Sequence, residues 1–278
     1  MGTRGVCVAA LVGMAFFLAA CGAKQDAAKQ AVAAARKTLA LPEVSYNVTF
    51  AGDRLFGPSL TLLGGRAASD LSSGLGYEAL KLQGKDGHTQ TLFLDLMPKV
   101  AYLSPDPAPA GVLPQGKLWI TVPFDQGDAA EQRLAAQLEG VAAELPLAEV
   151  AWGAKDVSRV GTRVVQHLPA TEYRVTVDLA KALAAAKRSG RTGLAAATAS
   201  ELRAARGKPV VVTMWVNGPG YVSQLEHAAP GTGLGTATVS ITGFTGRLRP
   251  NPPLDSQSVP VASVVPPGRS LWDVATGS

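Results

Sequence analysis

Cysteine is nearly missing from this chain. Of its 278 residues two are cysteines, Cys7 and Cys21, both close to the N-terminus. The rest of the chain therefore has no disulfide framework, no thiolate metal site and no cysteine nucleophile. Histidine is scarce too. His88, His167 and His227 are the three, and none stands at a metal-ligand spacing from another histidine, a cysteine or a carboxylate. His88 follows Gly87 in a turn, and His167 and His227 fall at strand ends, so each reads as a surface or edge residue. Runs of basic residues are absent. The 26 lysines and arginines outnumber 21 acidic residues for a net charge of +5, but they are scattered and do not alternate with aromatics. Nucleic acid is thereby removed as a partner. A mild positive balance suits a surface held near anionic headgroups; ordinary solvated charge is the plainer reading.

Catalytic signatures are missing as well. There is no Walker sequence and no Gly-x-Ser-x-Gly elbow. Gly231 to Thr236 imitates a phosphate loop, but a strand pattern follows where the fingerprint needs a helix, so it reads as a hairpin loop. Asp125 and Asp128 bracket Gly127 ahead of a helical pattern. Asp128 suits its N-cap, with Glu131 as the return partner. Asn47-Val48-Thr49 matches a glycosylation sequon. Trp119, Trp152, Trp215 and Trp272 default to core positions, with cavity lining as the sharper alternative. No catalytic constellation, cofactor or metal site emerges, so no enzyme activity is expected.

What is present begins at the N-terminus. Arg4 supplies a basic start, Val6 to Leu18 is apolar, and small residues follow, the layout of a secretory signal peptide. The apolar run falls short of the ~20 residues a membrane-spanning helix needs. Its end, Leu18-Ala19-Ala20-Cys21, resembles the lipobox of bacterial lipoproteins. The resemblance implies that the Cys21 thiol receives a diacylglyceryl group, that cleavage precedes it, and that Cys21 becomes the new N-terminus. Two or more acyl chains anchor stably where one is marginal. Residues 1–20 are thus expected to be a lipoprotein signal peptide and 21–41 a lipidated N-terminus and leading helix. The location expected is the outer face of the cell membrane, lipid-anchored through Cys21.

The alanine-rich 23–41 segment carries a thin stripe of Val32, Leu39 and Leu41 and ends before Pro42. After it the period changes to two. Tyr46, Val48 and Phe50 share one face, and short alternating segments follow up to Phe124, punctuated by Gly, Pro or Asp. Ser104 to Gly116, rich in proline, reads as a loop. From Asp128 to Leu145 the period is helical, through Leu134, Leu138, Val141 and Leu145. Strands return over 161–179, with Tyr173, Val175 and Val177 on one face. Leu179–Lys187 and Leu194–Arg206 read as two helices, and three further strands and a proline-punctuated end complete the chain. The order predicts an α+β fold: a large curved antiparallel sheet with helices on one face.

Three segments resemble the LppX/LprG lipoproteins of high-GC Gram-positive bacteria. They are Ala170 to Leu183 (ATEYRVTVDLAKAL), Val210 to Glu226 (VVVTMWVNGPGYVSQLE) and Ile241 to Val259 (ITGFTGRLRPNPPLDSQSV). Asn217 replaces the usual aspartate, Gln224 stands where a basic residue is common, and Thr245 interrupts a usual glycine. The resemblance implies a LolA/LolB-like fold over 42–278 as a single lipid-binding domain: a half-open β-barrel with helices packed on its concave face. It also implies a lipid or glycolipid ligand whose acyl chains lie between sheet and helices. Roughly a dozen buried methylenes would contribute near 10 kcal/mol before ordering costs. From the alternation, the lining expected is Tyr46, Val48, Phe50, Leu60, Leu62, Leu92, Leu94, Leu96, Ile120, Val122, Tyr173, Val175, Val177, Val212 and Met214. Leu134, Leu138 and Val141 would face them from the helix. The alternative is an interaction or sensor lipoprotein of the same fold, with an envelope protein partner and no lipid cargo.

Overall fold

The computed structural model describes residues 25–51, 60–73, 75–84, 87–97, 99–106, 113–124, 138, 143–228, 236–244, 252–266 and 271. Residues 1–20, Cys21, the Asp125–Asp128–Glu131 cap, Leu134, Val141, Trp272 and most of the Gly231–Thr236 loop lie outside them. Leu60 is placed in a strand, but its side chain is not described.

A helix, α1, covers 25–39. Its buried stripe is Ala27, Ala31, Ala34, Ala35 and Thr38, at the i, i+4, i+7, i+8, i+11 spacing of one helix face. Alanine rather than Val32, Leu39 and Leu41 makes this stripe, and small side chains let the helix lie close to the layer beneath.

That layer is one sheet. Its strands are β1 (Val44–Ala51), β2 (Leu60–Asp70), β3 (Leu75–Gly84), β4 (Thr89–Leu96), β5 (Val100–Asp106), β6 (Trp119–Pro123), β7 (Ala154–Val165), β8 (Leu168–Val177), β9 (Val210–Asn217), β10 (Val222–Ala228), β11 (Thr236–Gly243) and β12 (Ser258–Pro260). The spatial order is β12-β6-β5-β4-β3-β2-β1-β11-β10-β9-β8-β7. The terminal strands do not pair with each other, so the sheet stays open. Every pairing is antiparallel except that of β12 with β6, which is parallel.

Helices α2 (Glu144–Gly153), α3 (Leu179–Arg188), α4 (Thr192–Ala205) and α5 (Val261–Val264) add to the α+β architecture, and Leu138, within the stretch read as helical, has helical backbone. The inward alternation is buried as a layer: Tyr46, Val48, Leu62, Leu92, Leu94, Leu96, Ile120, Val122, Tyr173, Val175, Val177, Val212 and Met214 join one core cluster with Leu138, and Phe50 packs partly buried against it.

Several local features depart from expectation. β2 does not stop at its glycine pair. It runs on to Asp70, with a register shift between Leu62 and Gly64. Gly64 has φ +147°, and a Cβ there would lie 2.5 Å from the Val48 carbonyl oxygen, so glycine permits the bulge. β5 includes Pro105, which pairs with Leu92 of β4. The β6 ladder ends at Leu103, so Pro105 lies beyond the stretch flanked on both sides, where its missing N–H is tolerated.

The helical pattern expected to end at Leu145 instead meets α2, which starts at Glu144. Pro146 sits in its first turn, where backbone N–H groups have no helical partner and proline is accepted. α2 is buried on all sides. Leu147, Val150 and Ala151 face the sheet cluster, while Leu145 and Ala148 meet Ala186 of α3 and Leu194 and Ala197 of α4. His167 is exposed in a two-residue turn, as expected. His227 is a correction: its side chain is 2% exposed, because β10 is an inner strand and α2 and α4 cover the residue. Trp215 is buried in a small cluster with Val165 and Ala170, under the Arg163 guanidinium 3.8 Å from its ring centre.

Candidate functional site

A pocket of about 550 Å³ opens between α1, the β7–β8 hairpin and the end of β9. The helix contributes Gln30, Ala33, Ala34 and Lys37. The hairpin contributes Thr162, Pro169, Ala170, Thr171 and Tyr173. The turn after β9 and its approach contribute Val216, Asn217, Gly218 and Gly220. The volume falls in the ~300–1,000 Å³ range of small-molecule sites. Its lining is mostly small or apolar, with a few polar side chains among it.

Several bonds hold α1 over this pocket. Tyr173 Oη donates to Gln30 Oε1 at 2.6 Å. Lys37 Nζ donates to the Pro219 carbonyl at 2.6 Å and stands 4.2 Å from the Tyr221 ring centre. Thr38 Oγ1 donates to the Ala34 carbonyl and accepts from Val222 N–H at 3.0 Å, tying the helix end to β10.

Tyr173 is the residue of the expected lining that reaches this pocket. The other described members belong to the packed layer between sheet and helices. Alternation identifies the face a side chain takes, but not whether the space above it is filled. The pocket's α1 wall is built of alanines, lysine and glutamine, which carried no signal of a site.

Two polar groups interrupt the packed layer. Tyr46 Oη donates to Glu78 Oε1 at 2.8 Å, lies 3.2 Å from Ser69 Oγ and accepts from Ala143 N–H. Burial, then the Glu78 charge, hold its hydroxyl well above the usual tyrosine range. The second group joins Glu149 of α2, Glu201 of α4 and His227 of β10. His227 Nε2 lies 3.2 Å from Glu149 Oε2 and 3.1 Å from Glu201 Oε1, yet neither contact is aligned as a hydrogen bond. Burial, then the neighbouring Glu201 charge, push the Glu149 carboxyl up to about 8. Burial opposes the charged form of Glu201 as well, but His227 beside it brings its carboxyl down overall. Burial would likewise lower His227, and the two carboxylates overcome that and raise it well above the usual imidazole range. These three residues were missed from sequence because they sit far apart in the chain, with no local spacing to mark them.

Among the described residues, no helix is long and apolar enough to cross a membrane. No protein-family model matches the chain, and no curated protein matches it. Solved structures do. LprF from Mycobacterium bovis is 13% identical with a TM-score of 0.47, over 82% of this chain and 97% of that one. The Mycobacterium tuberculosis lipoprotein LppX is 11% identical with a TM-score of 0.46, over 81% of this chain and 98% of that one. These are likenesses of fold, to lipoproteins of the LppX/LprG group.

Proposed function

We propose that this chain is a cell-envelope lipoprotein, anchored through Cys21, that binds the acyl chains of a lipid or glycolipid under α1. The pocket carries the reading: about 550 Å³, lined by the small or largely apolar Ala34, Ala170, Tyr173 and Val216 together with the polar Gln30, Lys37 and Asn217. A mostly apolar lining with few polar groups suits an alkyl chain ending in a polar head. Each methylene taken up contributes ~0.8 kcal/mol. Gln30 is nine residues beyond Cys21; three of them precede residue 25, where the described part of α1 begins, and the four steps from Cys21 to residue 25 reach at most ~14 Å when extended. The pocket therefore lies close to the bilayer that would supply its ligand. Beyond the pocket, the proposed lining continues through Tyr46, Val48, Phe50, Leu62, Leu92, Leu94, Leu96, Ile120, Val122, Val175, Val177, Val212 and Met214, with Leu138, a packed layer that an acyl chain would have to part; Leu134, Val141 and the Leu60 side chain lie outside the described residues.

The test uses the full chain, purified in mild detergent, extracted with organic solvent and analysed by mass spectrometry, alongside uptake of a fluorescent fatty-acyl probe. Ala33 lines the pocket from an exposed helix position, so Ala33→Trp should fill the space with the core intact. We expect co-purifying acyl lipid, and probe affinity at least tenfold weaker in the variant. Neither extracted lipid nor probe uptake by the folded chain would overturn the reading.

A second reading is favoured by the hairpin itself. Val160, Val164 and Leu168 are 57%, 70% and 54% exposed on and beside the edge strand β7, a surface that an envelope protein partner would cover. Binding of such a partner by a chain that takes up no probe would favour it.

A further inference from the structure

Three side chains from separate segments converge inside the molecule, each on a different element: Glu149 on α2, Glu201 on α4 and His227 on β10. They are 1%, 3% and 2% exposed, so water does not reach them from the surface. Both oxygens of each carboxylate, and the histidine Nε2, have no hydrogen-bond partner. Five unpartnered polar atoms at one buried point are a large unmet need, since each such group costs about 1–3 kcal/mol. One imidazole N–H cannot align with two carboxylates at once, and a proton held by Glu149 would supply a single further donor for the four carboxylate oxygens.

We propose that Glu149, Glu201 and His227 bind one divalent transition-metal cation of the zinc class, through one oxygen of each carboxylate and Nε2 of the histidine, with a water carried in on the ion as the fourth ligand. The spacing fits. Tetrahedral zinc with arms of ~2.0–2.1 Å sets neighbouring donor atoms about 3.3 Å apart. The histidine nitrogen stands 3.2 and 3.1 Å from the two carboxylate oxygens, and all three donor atoms lie within 4.8 Å of one another. Charge fits as well, because two carboxylates and a neutral imidazole balance a divalent ion in a place where net charge is costly. An imidazole with two carboxylates suits zinc and its first-row neighbours. Calcium and magnesium ask for six or more oxygens or retained waters. The ion would clamp α2 and α4 to the sheet at β10, and its binding energy would add to folding. The inference does not depend on the lipid reading.

The experiment takes the full chain in detergent, unfolds it in urea with a chelator, removes both, and refolds it with zinc chloride, with cobalt chloride, or with neither. Bound metal is counted by elemental mass spectrometry, melting is followed by circular dichroism, and cobalt is read by visible absorption. We expect about one equivalent of metal, a higher melting temperature and the intense cobalt bands of a four-coordinate site. Glu149→Gln, Glu201→Gln and His227→Gln should each weaken binding at least tenfold. A wild-type chain that refolds without taking up zinc or cobalt overturns the proposal. So does uptake that survives Glu149→Gln together with Glu201→Gln. Should the variants not fold, the wild-type stoichiometry and cobalt spectrum decide alone, since a six-coordinate or absent cobalt signal contradicts the site.

Discussion

Tyr46 brings a fully buried hydroxyl into a layer made mostly of aliphatic side chains. The alternation of β1 placed it inward from sequence alone. Its partner Glu78 lies on β3, across β2, and nothing in the local pattern announced the pair. Tyr46→Phe keeps the ring and removes the donor, leaving a fully buried carboxylate short of one hydrogen bond. We expect a loss of about 2 kcal/mol, read from the urea midpoint. The hydroxyl's pKa is raised in the folded chain, so its contribution is complete below pH ~10 and fades only as pH rises through the raised value. The penalty of the substitution should therefore be the same at pH 6 and pH 8. Histidine was the least legible residue type. His88 and His167 are exposed, as their turn and strand-end positions suggested, while His227 occupies an equivalent sequence context and is buried, because burial there is decided by helices distant in sequence.

Elements with a polar side were readable and the one without was not. α3 and α4 were expected within a few residues of their ends, and alternation located β1 to β11, although β2 runs five residues past its expected glycine end and β7 begins seven residues before the expected 161. α2 escaped because the sheet takes one of its faces and α3 and α4 the other, which leaves no polar stripe to mark a period. The β7–β8 hairpin presents a different case. Its turn is Gln166-His167, with φ of 50° and 67°, the left-handed pair of a type I′ turn that ordinarily favours Asn-Gly. Neither residue is suited to that conformation, and neither side chain is buried. Replacing the pair with Asn-Gly should stabilise the chain by about 1 kcal/mol, measured as a rise in melting temperature. An unchanged or lower value would mean that the exposed side chains do something else for this hairpin.

At the scale of the whole molecule the sequence suggested one large sheet with helices on a face, and the structure has it. Strand order was not legible. β1 pairs with β2 on one side, but on the other Ser45 lies against Gly243 of β11, and β12 returns to lie parallel to β6. Such pairings depend on the closure of long loops, which no local pattern encodes. They also set the folding speed. We expect refolding in milliseconds to seconds or slower, by stopped-flow tryptophan fluorescence, with no phase that responds to reductant because residues beyond 21 carry no cysteine. Microsecond refolding would contradict a fold that must join its two ends early.

That same junction has a mechanical meaning. Were the chain tethered through Cys21 as proposed, the pull would pass through α1 into β1, and β1 is flanked by ladders on both sides rather than hanging from a border. Tension from a moving bilayer would first strip the Lys37 and Thr38 fastenings of α1. It would then be shared between two rows of backbone bonds at the middle of the sheet. The outermost strands, which are the easiest to peel, carry none of the load.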